Sequence, residues 1–334
     1  MPLPPGIDIH AHFFPERYLR LIEQEGAAAG ARLERAGGRD VRIVVNGVAT
    51  PPLGPAYWDL DLRRKAMDRT GIGVQALSLT APMVYFAKGE LGVRLARAFN
   101  DALAEAHTAF PDRFVGCATL PMQDPAQAVG ELERAARLPG VRAVYLGTNV
   151  NGRELSDPAF TPVFERCHEF ELPILLHPLT VIGAGDRLRA FYLSNLLGNP
   201  FDTAIAAAHL VFGGVLDRFP RLQVCLPHGG GALPYLFGRL QHGQKVRPEA
   251  RDRARRPFGA YLRRFTYDTI THAPQLLRFL IDTVGADRVM LGSDFCFDMG
   301  YERPRDIVTK RLRLRAADQR RILRDNAARL LGLA

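Results

Sequence analysis

An α/β fold, a (β/α)8 barrel, follows from three features of the 334-residue sequence. Eight short and nearly continuous apolar segments recur along the chain, the pattern of parallel strands buried on both faces. Stretches of helical periodicity separate them. No Gly-x-Gly-x-x-Gly turn follows the first strand, which argues against an open doubly wound sheet.

The strands are expected at Ile7–His12, Val74–Leu79, Phe114–Thr119, Val141–Leu146, Ile174–His177, Leu222–Leu226, Phe265–Asp268 and Arg288–Asp294. Among the helices, Leu91–Phe110 stops at Pro111, and Asp124–Leu138 opens on an Asp-Pro pair and stops at Pro139-Gly140. Pro162–Phe170 and Pro274–Val284 have the same character. Two connections are longer than the rest. Residues 13–60 form an insertion after strand one, over the barrel mouth, with a hairpin at Val41–Val48 turning on Asn46-Gly47. Residues 179–205 follow strand five, and Pro304–Ala334 reads as helices that close the barrel. One domain, residues 1–334, accounts for the whole chain.

Composition narrows the function classes. The apolar and charged fractions, 47% and 24%, are those of a globular protein. No apolar run reaches the ~18 residues of a membrane span, and the opening residues lack a signal-peptide pattern. Cys117, Cys167, Cys225 and Cys296 are scattered, which predicts free thiols and a cytoplasmic protein. The net charge of +9 raises the possibility of a nucleic-acid or scaffold protein. However, the arginines are dispersed, and the densest cluster, Arg247 to Arg264, is interrupted by Pro248, Pro257 and Phe258. A solvated basic surface is the expectation, with no nucleic-acid partner and no membrane partner.

The chemistry lies at the strand ends. Strand one ends in His10 and His12, strand five in His177, strand six leads to His228, and strand eight ends in Asp294. Strand ends of a barrel converge on one mouth, so these distant residues become neighbours. Three imidazoles and a carboxylate around one zinc leave room for a water whose pKa the metal lowers.

Several motifs resemble the amidohydrolase superfamily, and within it the branch of 2-amino-3-carboxymuconate-6-semialdehyde decarboxylase. They are Asp8-Ile9-His10-Ala11-His12-Phe13-Phe14-Pro15, Val74 to Ser78, Thr119 to Gln123, His177-Pro178, Phe219 to Ala232, and Leu291-Gly292-Ser293-Asp294. The resemblance spans nearly the whole chain. It implies that His10, His12, His177 and Asp294 ligate one divalent metal, Zn2+ or else Mn2+, with no organic cofactor. It also implies that His228 is the catalytic base, working beside Asp294. Arg239 is then expected to reach the neighbouring site of a homodimer and hold a substrate carboxylate.

The resemblance is incomplete around the substrate. Pro51 stands near an expected carboxylate-binding arginine, His177-Pro178 continues as Leu179-Thr180, and Asp294 continues as Phe295-Cys296-Phe297-Asp298. Arg42 is a weak substitute for the missing cation, and Phe295 is expected to line the substrate pocket, with Phe297 as a companion. The expected activity is a zinc-dependent, non-oxidative decarboxylation of an unsaturated or aromatic acid, carboxymuconate-semialdehyde-like or hydroxybenzoate-like, in aromatic catabolism. The alternative is a metal-dependent hydrolase or hydratase, lactonase-like, on a ring-cleavage product. Val141–Thr148 holds no lysine to bridge two metals, which weakens the binuclear form of that alternative.

Overall fold

The computed structural model describes residues 3–179, 181–183 and 185–333. Eight parallel strands form one sheet: β1 (Gly6–His12), β2 (Ile72–Ser78), β3 (Phe114–Thr119), β4 (Val141–Gly147), β5 (Ile174–His177), β6 (Val224–Leu226), β7 (Phe265–Asp268) and β8 (Val289–Met290). They lie side by side in chain order. Residues after β8 close the ring on β1: the Ile9 amide donates to the Leu291 carbonyl at 3.0 Å, and the Asp294 amide to the His10 carbonyl at 2.9 Å. A (β/α)8 barrel is therefore the observed fold.

Buried apolar side chains explain why these segments are strands. Ile7, Ile9, Leu77, Phe114, Val144, Leu175, Val224 and Phe265 are almost fully enclosed, since each strand is covered by helices outside and by side chains within. Helices α1 (Leu60–Thr70), α2 (Gly89–Ala109), α3 (Pro125–Ala135), α4 (Thr161–Glu169), α5 (Asn199–Phe212), α6 (Leu233–Val246) and α7 (Pro274–Val284) alternate with the strands. Their starts follow ordinary capping chemistry. The Asp59 side chain accepts from the Asp61 and Leu62 amides of α1, and Asp124 accepts from the Gln127 amide of α3. Short helical turns between Asp306 and Leu330 pack beneath the barrel, where the Leu291 amide donates to the Ile322 carbonyl at 2.9 Å. Ala334, the end of the expected closing segment, is outside the described residues.

Strand eight is shorter than expected. Its regular ladder ends at Met290, and the chain stays attached to β1 through an isolated parallel bridge between Ala11 and Phe295. At Asp294 the extended run itself ends, because a left-handed φ of 60° turns the chain out of the strand direction.

The insertion contains more than a hairpin. A helix at Glu16–Glu25 leads into an antiparallel sheet of Ala31–Gly37, Asp40–Val45 and Val48–Ala49. The turn falls on Asn46 and Gly47 with positive φ of 49° and 83°, as an Asn-Gly hairpin turn requires. The strand at Ala31–Gly37 escaped sequence reading because Arg32, Glu34 and Arg35 interrupt any apolar run. Among the described residues, no helix is long and apolar enough to cross a membrane.

One charged side chain ties α1 to the barrel. Arg63 is fully buried, donates to Gln75 Oε1 at 3.1 Å and to the His12 carbonyl, and lies over the Phe295 ring at 5.0 Å. Gln75 in turn donates to the buried Asp8 carboxylate at 3.1 Å. Removing a buried cation from such a network strands its acceptors. Arg63→Ala is expected to lower unfolding stability by about 3 kcal/mol, measured by urea denaturation.

Candidate metal centre

His10, His12, His177 and Asp294 are all buried, and each presents one ligand atom such that the four atoms lie within 4.8 Å of one another. His10 Nε2 and His12 Nε2 are 3.1 Å apart, and His12 Nε2 is 2.9 Å from Asp294 Oδ1. Simple strand alternation is not the whole cause. The β1–β2 register shifts between Asp8 and Ala11, a bulge that inserts an extra residue at His10 and re-aims its ring.

The other ring nitrogens of the histidines are already engaged. His10 Nδ1 faces Asp268 Oδ2 at 2.8 Å, and His12 Nδ1 faces Ser78 Oγ at 3.3 Å. His177 Nδ1 lies 2.8 Å from the Pro178 carbonyl and 3.0 Å from Thr80 Oγ1. A carbonyl oxygen only accepts, so Nδ1 of His177 carries the proton and its Nε2 keeps a lone pair. Such outer partners are what orient imidazoles toward a metal.

At His12 and His177 the electrostatics favour lone pairs over protons. Burial pushes His12 down to about 4, and burial together with the adjacent His12 and His10 holds His177 well below the usual imidazole value. For His10 burial is again the largest single effect and opposes charge, but the bond to Asp268 together with the charges of Asp294, Asp268 and Asp8 outweighs it and raises the group. For Asp294, burial is outweighed by the hydrogen bond to His12 and by the nearby imidazoles of His228 and His10, so its carboxyl lies well below the carboxylate range. Three imidazoles converging with a carboxylate form a donor set suited to one divalent transition metal.

His228 stands beside this set. Its Nε2 is 3.7 Å from Asp294 Oδ2, and its ring centroid is 5.2 Å from that of His10. Its Nδ1 is buried with no hydrogen-bond partner among the described residues. The backbone holds it in a left-handed φ of 53°, with its amide donating to Asp268 Oδ2 at 2.9 Å. The glycines that follow are there for space: a Cβ on Gly231, at φ 58°, would approach the Pro200 carbonyl oxygen to 2.2 Å.

Two adjoining cavities of about 510 and 530 Å3 share His228 and Asp294 in their walls. The larger one is also lined by Pro51 and Leu179, by Ile43 and Val45 of the insertion, and by Phe297. Phe297 packs edge-on against His12, with ring centroids 5.3 Å apart. Phe295 is not brought to these cavities. It lies under Arg63 and lines a separate cavity with Cys296, because the chain turns immediately after Asp294. Arg42 does not reach the cavities either, since Ile43 and Val45 occupy the facing side of the strand. Arg239 lies exposed on α6, apart from the metal ligands of its own chain. Thr180 falls outside the described residues.

Asp268 is the functional residue that sequence reading overlooked. Its fully buried carboxylate accepts from the His228, Gly229 and Ile270 amides at 2.9, 2.8 and 3.0 Å, besides holding His10. The signal was present, since Asp268 ends strand seven just as the ligands end theirs. Asp268→Asn is expected to weaken metal affinity about 10- to 100-fold, read by chelator competition, with the fold retained by circular dichroism. Asp294→Ala should lose bound metal outright, as counted by elemental analysis of the purified protein.

Comparison with known proteins agrees with this geometry. The family model described as Amidohydrolase matches residues 7–333. The chain is 32% identical to 2-amino-3-carboxymuconate-6-semialdehyde decarboxylase of Dictyostelium discoideum over 331 residues, covering 98% of this chain and 91% of that protein. It is 31% identical to a gamma-resorcylate decarboxylase of Rhizobium radiobacter, covering 82% of this chain and 87% of that one. The crystal structure of 5-carboxyvanillate decarboxylase from Sphingomonas paucimobilis superposes with a TM-score of 0.84 at 26% identity, covering 99% of each chain. A barrel of eight strands, a four-ligand metal centre at their ends and a match over almost the full chain place this protein in the amidohydrolase family.

Proposed function

We propose that the protein is a metal-dependent, non-oxidative decarboxylase of an aromatic or unsaturated carboxylic acid in aromatic catabolism, with zinc as its metal. The observation that supports this most directly is the buried His10, His12, His177 and Asp294 set opening onto a cavity that also contains His228. The relatives named above are decarboxylases of such acids, which favours carbon–carbon cleavage over hydrolysis or hydration.

When bound, the metal supplies a Lewis acid that neutralises charge on substrate oxygen and acidifies water. The protein's own residues do the remainder. Asp268 keeps His10 oriented, and Ser78 and Thr80 do the same for His12 and His177. His228, held by its main chain, is placed to deliver a proton to the carbon that bears the carboxylate. The new C–H bond uses a π electron pair of the substrate; when the bond to the carboxylate then breaks, its electron pair restores that π system, and CO2 departs. One proton is consumed per turnover and no oxidant is needed, so the step requires no organic cofactor. Phe297 lines the pocket and is backed by the buried Tyr57, their ring centroids 5.4 Å apart, so this side of the site is apolar.

Arg239 suits a role across an interface. It is exposed on α6 and has no ion-pair or hydrogen-bond partner among the described residues. In a homodimer, the guanidinium of one copy would pair bidentately with the carboxylate in the other copy's site.

His228→Ala is expected to retain one metal per chain yet lose about 10²- to 10⁴-fold in turnover, measured as CO2 release from hydroxybenzoates and carboxymuconate semialdehydes. Wild-type-like turnover would rule out His228 as the proton carrier. Incorporation of oxygen from labelled water into the product, without CO2, would establish a hydrolase or hydratase instead. Arg239→Ala should raise KM in proportion to the dimer fraction found by sedimentation.

A further inference from the structure

We propose that the cavity selects ring acids bearing a single carboxylate, and that Asp298 enforces the selection by rejecting a second one. This rests on the decarboxylase reading only in taking the group brought to the metal ligands to be a carboxylate. Asp298 lines the 530 Å3 cavity together with His177, His228 and Asp294. It is exposed at the cavity mouth, where it also borders the cavity under Phe295, and no described side chain pairs with it by hydrogen bond or ion pair. Its position is set by a tight turn in which the Phe297 amide donates to the Asp294 carbonyl at 3.0 Å and the Gly300 amide to the Phe297 carbonyl at 3.0 Å. Its field reaches across the cavity: burial, then Asp298, then Asp294 raise the Tyr192 hydroxyl above its usual value.

The charges around the cavity decide the outcome. Among the described residues lining either cavity there is no Arg or Lys. A divalent cation on the ligand set would meet one substrate carboxylate, and no other cation of this chain lines the cavity among the described residues. The partner's Arg239, in the role proposed above, would pair with that same carboxylate and leave none for a second. A second carboxylate would then meet Asp298 with no cation left to separate them. Repulsion between like charges in a partly enclosed, apolar-walled space is stronger than in open water, and such repulsion is an effective device for rejecting a near-substrate. The same free carboxylate accepts a hydrogen bond from a hydroxyl or amino substituent. The ligand class is therefore a hydroxylated or aminated ring monocarboxylic acid.

The test uses the metal-loaded enzyme and Asp298→Asn, with 2-hydroxybenzoate and 4-hydroxybenzene-1,3-dicarboxylate as probes in titration calorimetry at low and high salt. The wild type should bind the monocarboxylate roughly tenfold more tightly. Asp298→Asn should erase most of that ratio by tightening the dicarboxylate, and high salt should narrow it in the wild type alone. A wild type that binds the dicarboxylate as well or better, or an unchanged ratio in Asp298→Asn, would overturn the proposal. CO2 release from a wider panel is scored separately. A preserved binding preference without CO2 from any acid removes the decarboxylase reading and leaves the selection standing. Failure of the loaded protein to bind either acid overturns both.

Discussion

A single carboxylate, that of Asp268, holds the metal centre and the neighbouring histidine in register. One oxygen meets His10 Nδ1 and the His228 amide, and the other meets the Gly229 and Ile270 amides. A buried ionised carboxylate is costly unless its lone pairs are filled, and here four donors fill them. Burial alone would raise its pKa, yet the bond to His10 and the charges of His10 and His228 hold it below the usual value. Because its donors come from β1, the turn after β6 and its own segment after β7, the strands cannot shift relative to one another without breaking this junction. His228 is thereby confined to a left-handed conformation that its own side chain does not favour.

Beneath that junction lies a second buried polar network. Asp8 accepts from Ser293 Oγ at 2.6 Å, from the Ser293 amide at 3.0 Å and from Gln75, while Arg63 bridges Gln75 and the His12 carbonyl. Burial raises Asp8 to about 6, the hydrogen bonds from Ser293, His10 and Gln75 offsetting only part of that effect. The two networks flank β1 and the residues that follow β8, the seam where the barrel closes. Closure and ligand placement therefore share the same polar contacts. This accounts for the irregular backbone there: the bulge at His10 and the left-handed Asp294 each bring a ligand inward at the cost of strand regularity.

The substrate side is built differently. Its walls come from the insertion sheet, the segment after Asp294 and the residues around α5, α6 and α7, and they are mainly apolar. Strand register determines which insertion residues take part. Ile43 and Val45 face the cavity while Arg42 and Val44, at the alternate positions, do not. In the same way, the turn after Asp294 directs Phe297 inward and Phe295 toward Arg63. Only one or two residues separate each included side chain from the excluded one, yet their roles diverge completely.

The amino-acid sequence by itself determined the strands, because a run of apolar residues buried on both faces declares itself locally. It also determined the metal ligands, because a barrel brings strand ends together whatever lies between them. The Asn46-Gly47 turn and the Asp124 cap were equally legible, since they depend on neighbours within a few residues. Tertiary structure alone decided the orienting roles of Asp268, Thr80 and Arg63, whose partners are distant in sequence. It also decided which of Phe295 and Phe297 faces the histidines, and that Arg42 faces away. Those choices rest on register and on single backbone dihedrals, where a shift of one residue sends a side chain to the opposite face.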